Sequence, residues 1–93
     1  RRWFCHRGPI DIVARDGKTI VFVEVKTRKD TQYGPPQLAV TPFKQRQISK
    51  AALTWLAKNR QLEAGARFDV ISIMFSGEQS RIEHIPNAFD LAY

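Results

Sequence analysis

Apolar and polar positions change rhythm along this chain, and each change marks an element. Arg2–His6 reads as a short strand that Gly8-Pro9 ends. Ile10–Ala14 and Thr19–Thr27 are rich in β-branched and aromatic residues, and Arg15-Asp16-Gly17-Lys18 lies between them. Asp-Gly flanked by such runs predicts a hairpin, because a type I′ turn needs positive φ at both central positions. Residues 29–40, with Tyr33-Gly34-Pro35-Pro36, predict an irregular surface loop. Thr41-Pro42 has the form of a helix cap followed by proline at the first helical position. From Phe43 to Arg60, the residues Ile48, Ala51, Ala52, Trp55 and Leu56 recur at helical spacing and form one buried stripe. Arg46, Lys50, Thr54 and Lys58 take the opposite side. Arg67–Phe75 predicts a second buried strand, Ser76–Gln79 a turn, and Arg81–Ile85 a short last strand stopped by Pro86-Asn87. A strand, a helix and a further strand in that order suggest a crossover, hence an α/β fold: a mixed sheet of about five strands with a flanking helix.

Length allows one domain over residues 1–93, with a single core. No stretch is apolar enough for a transmembrane helix or a signal peptide. The chain has no initiator Met, begins with a strand already under way, and reads as an N-terminally truncated piece. A single cysteine, Cys5, excludes an internal disulfide and a Cys-based zinc site, and indicates a reduced, cytoplasmic protein. Charge is informative: 15 Lys and Arg stand against 9 Asp and Glu, for a net charge of +6. The excess lies in the first two thirds, while residues 61–93 hold 2 basic and 5 acidic side chains. Such a basic surface suits a polyanion, above all nucleic acid, although solubility alone also explains it.

The hairpin brings chemistry together. With Asp16-Gly17 as its central pair, Asp11 faces Phe22 and Pro9 faces Glu24. Cross-strand partners share a face, so Asp11, Phe22, Glu24 and Lys26 project from one side of the sheet. Asp11 and Glu24 are then diagonal neighbours, about 7–8 Å apart. Two carboxylates converging on one point hold Mg²⁺ or Mn²⁺, whose remaining ligands come from water and a substrate phosphate. Lys26 can orient a water or neutralise charge on phosphorus. The bland alternative is a cross-strand ion pair at the end of a sheet. Asp16-Gly17-Lys18 repeats the acidic-x-Lys spacing but sits in the turn.

Gly8-Pro9-Ile10-Asp11-Ile12-Val13-Ala14-Arg15-Asp16-Gly17, continued by Val21-Phe22-Val23-Glu24-Val25-Lys26-Thr27-Arg28, resembles the YraN-type family of bacterial proteins. Tyr33-Gly34, Ala39-Val40-Thr41-Pro42, Lys44-Gln45-Arg46, Arg67-Phe68-Asp69-Val70 and His84–Phe89 extend the resemblance over nearly the whole chain. It implies a predicted endonuclease of the restriction-endonuclease-like PD-(D/E)XK superfamily, similar to Holliday junction resolvases. On that reading Asp11, Glu24 and Lys26 are the catalytic triad, and Asp11 and Glu24 hold the metal. DNA is the expected substrate, with branched or damaged structures among the forms it could take, and the family's own substrate is poorly defined. Related resolvases work as dimers, so the resemblance admits a homodimer, though no patch in the sequence marks its surface. Two departures stand out: the family usually has Glu where Pro9 stands, and its N-terminal helix is missing. A nucleic-acid-binding module with weak or lost catalysis is therefore the alternative, and a protein-interaction subunit the third.

Around the triad, Arg28 and Lys29 follow the catalytic strand, and Lys44, Gln45 and Arg46 open the helix. All five are expected to touch nucleic acid, against the plain reading of solvated side chains. Asp69 is expected to be a structural hydrogen-bonding group rather than a metal ligand, and His84 a surface or half-buried strand histidine.

Overall fold

A computed structural model describes residues 2–5, 10–29 and 40–91. β1 (Arg2–Cys5), β2 (Ile12–Asp16) and β3 (Thr19–Lys29) form an antiparallel meander. Helix α1 (Pro42–Lys58) then carries the chain over the sheet, so that β4 (Gly65–Ser76) runs parallel to β3. β5 (Gln79–Phe89) returns antiparallel to β4, and the spatial order is β1-β2-β3-β4-β5. The expected mixed sheet with a flanking helix is observed.

The hairpin register differs from expectation. Asp16 pairs with Thr19, so Gly17-Lys18 is the two-residue loop. Gly17 has φ 63°, and only the first central residue takes the positive φ, the position that a type II′ turn reserves for glycine. Val13 consequently pairs with Phe22, not Ile20. Each strand moves by one residue, so the pairing shifts by two and every side chain keeps its face.

The helix begins as its sequence dictates. The Thr41 hydroxyl accepts a hydrogen bond from the Lys44 N–H at 3.2 Å, and Pro42 follows the cap. Ile48, Ala52 and Leu56 are buried, with Ala51 and Trp55 partly so, and they pack on Ile20, Phe22, Phe68 and Val70. Phe22 stacks on Phe68 at 5.7 Å, Phe68 on Phe89 at 5.1 Å, and Trp55 meets the edge of Phe22 at 5.9 Å. This aromatic row fixes helix to sheet, each pair adding about 1 kcal/mol beyond its buried area. Thr41→Ala is expected to lower stability by about 1 kcal/mol, read as a lower urea midpoint at unchanged slope.

Two further expectations need correction. Lys29 belongs to β3 rather than to a loop, because β4 supplies it with a partner in Phe75. The last strand does not stop at Pro86-Asn87. The pairing shifts between Val70↔Ile85 and Phe68↔Phe89, which leaves Pro86 and Asn87 in a bulge and lets β5 resume. Asn87 takes φ 52° there, and its N–H donates to the Asp69 carboxylate at 2.9 Å. That bond replaces the ladder bond a strand would have supplied.

Candidate functional site

Alternation along β3 sends Val21, Val23 and Val25 to one face of the sheet, and Ile20, Phe22, Glu24, Lys26 and Arg28 to the face under α1. Val13 lies on the α1 face, so Asp11, two residues earlier, is directed there as well. Continued one step beyond Ile12↔Val23, the register sets Asp11 against Glu24 itself rather than diagonal to it. The place opposite Glu24 expected for Pro9 thus falls to position 11, and Pro9 lies outside the described residues.

Asp11 is held by the backbone. β2 begins only at Ile12, and the Val25 N–H on β3 donates to the Asp11 carboxylate, Oδ2, at 2.8 Å. An amide that the ladder leaves over is satisfied, and the carboxylate is oriented at the same time. Ile10, immediately before Asp11, is buried in the core and anchors the chain there. Among the described residues the other Asp11 oxygen takes no hydrogen bond.

Glu24 is 5% exposed, unusual for a carboxylate. Its Oε1 lies 3.5 Å from the Lys26 ammonium, while its buried Oε2 meets no hydrogen-bond partner among the described residues. Burial raises the Glu24 pKa, and the charge of Asp11 raises it further. Lys44 and Lys26 oppose that rise. The geometry thus brings four expected residues together: Asp11, Glu24, Lys26 and, from the first turn of α1, Lys44. That turn contains no acidic side chain, so nothing within it offsets the Lys44 charge that acts on Glu24.

The remaining expected residues separate. Gln45 Nε2 donates to the Val40 carbonyl at 2.9 Å and secures the entry into α1. Arg46 is exposed, as a phosphate contact requires. Arg28 is only 7% exposed, which gives an incoming phosphate little to touch. Its burial could not be read from local sequence. The side chain of Lys29 lies outside the described residues. Sequence reasoning passed over Phe43, whose ring is exposed next to Lys44. Its signal was an aromatic residue off the buried stripe.

On the other face, Asp69 is buried and accepts from Arg67 Nε at 2.9 Å and Nη2 at 3.1 Å. His84 Nε2 lies 2.7 Å from the same carboxylate, and Arg67 also approaches Asp16 at 3.6 Å. Burial raises the Asp69 pKa, but the bonds from Arg67, Asn87 and His84 outweigh it and hold the carboxyl below its usual range. Asp69 is a structural hydrogen-bonding group, and Asp16 is occupied with Arg67 rather than with metal chemistry.

The fold and this cluster define a class: a mixed-sheet α/β domain with a paired-carboxylate and lysine site on the helix-covered face. The chain belongs to the family described as "Uncharacterised protein family UPF0102", whose model matches residues 1–73. It is 78% identical to a UPF0102 protein of Geobacter metallireducens over 93 residues, all of this chain and 76% of the relative. A UPF0102 protein of Geobacter sulfurreducens is 66% identical over 94 residues, spanning all of this chain and 73% of that protein. One of Geotalea daltonii is likewise 66% identical over 94 residues, with 74% of it covered.

Proposed function

We propose that this protein is a metal-dependent nuclease that hydrolyses phosphodiester bonds of DNA, branched or damaged forms included, with the restriction-endonuclease-like catalytic arrangement. The observation that carries the reading is Glu24. A buried carboxylate oxygen without a partner, beside a second oriented carboxylate, is costly unless a cation joins them. Mg²⁺ or Mn²⁺ fits this donor set: both groups offer hard oxygens, and Mg²⁺ needs only one or two carboxylates when water and phosphate complete its shell. No larger group of His, Cys, Asp and Glu converges among the described residues. Asp11 and Glu24 would hold the ion, which when bound polarises the phosphate and lowers the pKa of water.

The protein's own groups do the rest. Val25 fixes the Asp11 carboxylate through its N–H. Lys26 orients the attacking water and offsets negative charge as the new P–O bond forms and the bond to the departing sugar oxygen breaks. Lys44 and Arg46 hold phosphates at the head of α1, and Phe43 offers a face for a base to stack on. The net charge of +6 supports a polyanionic substrate. Among the described residues no helix is long and apolar enough to cross a membrane. The reading places the protein in the bacterial cytoplasm.

Labelled linear, flapped and four-way DNA test the proposal, each with and without Mg²⁺ or Mn²⁺. Metal-dependent cutting is expected. Salt-dependent binding without cutting by either metal favours a binding module of the same fold. Replacing Lys44 and Arg46 together by Ala is expected to reduce the log–log salt slope of DNA binding by about two phosphate contacts. An unchanged slope moves the binding face elsewhere.

A further inference from the structure

β5 ends the sheet: among the described residues it pairs only with β4, and most of it is exposed. An edge strand of this length is a template for pairing with another chain unless something blunts it. Ile82, in its first half, is 69% exposed on the face away from α1. Arg81 and Glu83 flank it on the α1 face, because their partners Met74 and Ser72 alternate with Ile73.

We infer that two copies of this chain associate by antiparallel pairing of their β5 edges, centred on Ile82. Three observations select this partner and this register. The Gly77-Glu78 loop bounds the usable edge on one side, and Pro86, with no N–H to give, bounds it on the other. The midpoint of the remaining stretch, Gln79–Ile85, is Ile82. A two-fold axis perpendicular to a continuous sheet keeps each side chain on its own face, so a residue must lie opposite its own copy. Centring on Arg81 or on Glu83 sets like charges against each other. Centring on Ile82 sets Arg81 of each copy against Glu83 of the other, twice, and buries Ile82 against its twin. Charge also permits the approach, since residues 61–93 carry 2 basic and 5 acidic groups and the basic excess lies elsewhere.

The paired edge is smaller than a standard protein interface, so the association is weak and concentration-dependent. In the resulting sheet both α1 faces point the same way. Across the strands the two Glu24–Lys26 sites are separated by five strand spacings, about 24 Å, and they are further offset along the strand direction because Glu24 lies level with Ile85 rather than with Ile82. The inference is independent of what those sites do.

Sedimentation equilibrium of the full chain, with the Arg81→Glu and Glu83→Arg variants and the double variant, tests it. Each single reversal turns two attractions into two repulsions, and is expected to weaken dimerisation about tenfold or more. The double variant restores opposite charges across the axis and is expected to recover the parent's association. Both substituted positions are on an exposed strand, and circular dichroism confirms that the variants fold. A parent that stays monomeric up to about 1 mM overturns the inference. So does a parent dimer that is indifferent to the single reversals, or a double variant that stays as weak as the singles.

Discussion

Glu24→Gln is expected to abolish Mg²⁺-dependent DNA cleavage while leaving the protein at least as stable as the parent. The two outcomes have one cause. Glu24 is buried, and its Oε2 has no hydrogen-bond partner among the described residues, so its negative charge is held at a cost. Removing the charge relieves that cost with little change in volume, and it also removes one of the two carboxylates proposed to hold the metal. Sites that trade stability for chemistry behave in this way. DNA binding is expected to persist in the variant, and to tighten where repulsion between carboxylate and phosphate is relieved. Lys26→Ala is expected to retain metal binding and to lose on the order of a hundredfold or more in cleavage rate. Its melting temperature is expected to fall, because Glu24 then loses its nearby cation at 3.5 Å. Cleavage by both variants at the parent rate would place the catalytic centre elsewhere.

Asp69→Ala is expected to destabilise the fold by about 3 kcal/mol or more, without touching the carboxylates under α1. Asp69 is 1% exposed and is shared by Arg67, His84 and the Asn87 N–H, so its removal orphans donors on two strands and in the bulge. Asp69→Asn, which keeps the shape but not the charge, is expected to fall between parent and Ala. The same residue predicts a pH dependence. Its folded pKa lies below the ordinary carboxylate value, so the unfolded chain takes up the proton first as pH falls. Its contribution is complete above the ordinary value and is lost as pH drops through the lowered one. Urea midpoints measured from neutral pH downward are expected to decline less in Asp69→Asn than in the parent. Equal declines would show that other groups govern acid stability.

How much of this was legible in sequence depends on how local each cause is. The cap at Thr41, the stripe from Ile48 to Leu56 and the shared face of Asp11, Glu24 and Lys26 follow from neighbouring residues, and the structure contains them. The hairpin register did not follow, because Gly17 satisfies two turns. It serves as the second central residue after Asp16 or as the first before Lys18, and only the packed sheet selects between them. The site's shared face survived the error because the shift was by an even number. β5 passes beyond Pro86 because Asp69, 18 positions away in sequence, accepts the Asn87 amide, and no local pattern announces that. The action of the Lys44 charge on Glu24 depends likewise on how α1 lies over the sheet.

The parallel pairing of β3 with β4 has a consequence for how the molecule comes into being. The β2–β3 hairpin closes over a two-residue loop and can form early, and with it the neighbouring Asp11 and Glu24. Thr19 meets Gly65 only after the intervening chain, α1 included, has been gathered in. Loop-closure entropy opposes that step until the long-range contacts reward it, so docking of β4 is the natural candidate for the slow phase of refolding. Until then β3 offers an unpaired edge lined by Val21, Val23 and Val25, and the opposed carboxylates lack the covering helix and Lys44. The chain is therefore most prone to aggregate just before β4 docks on β3.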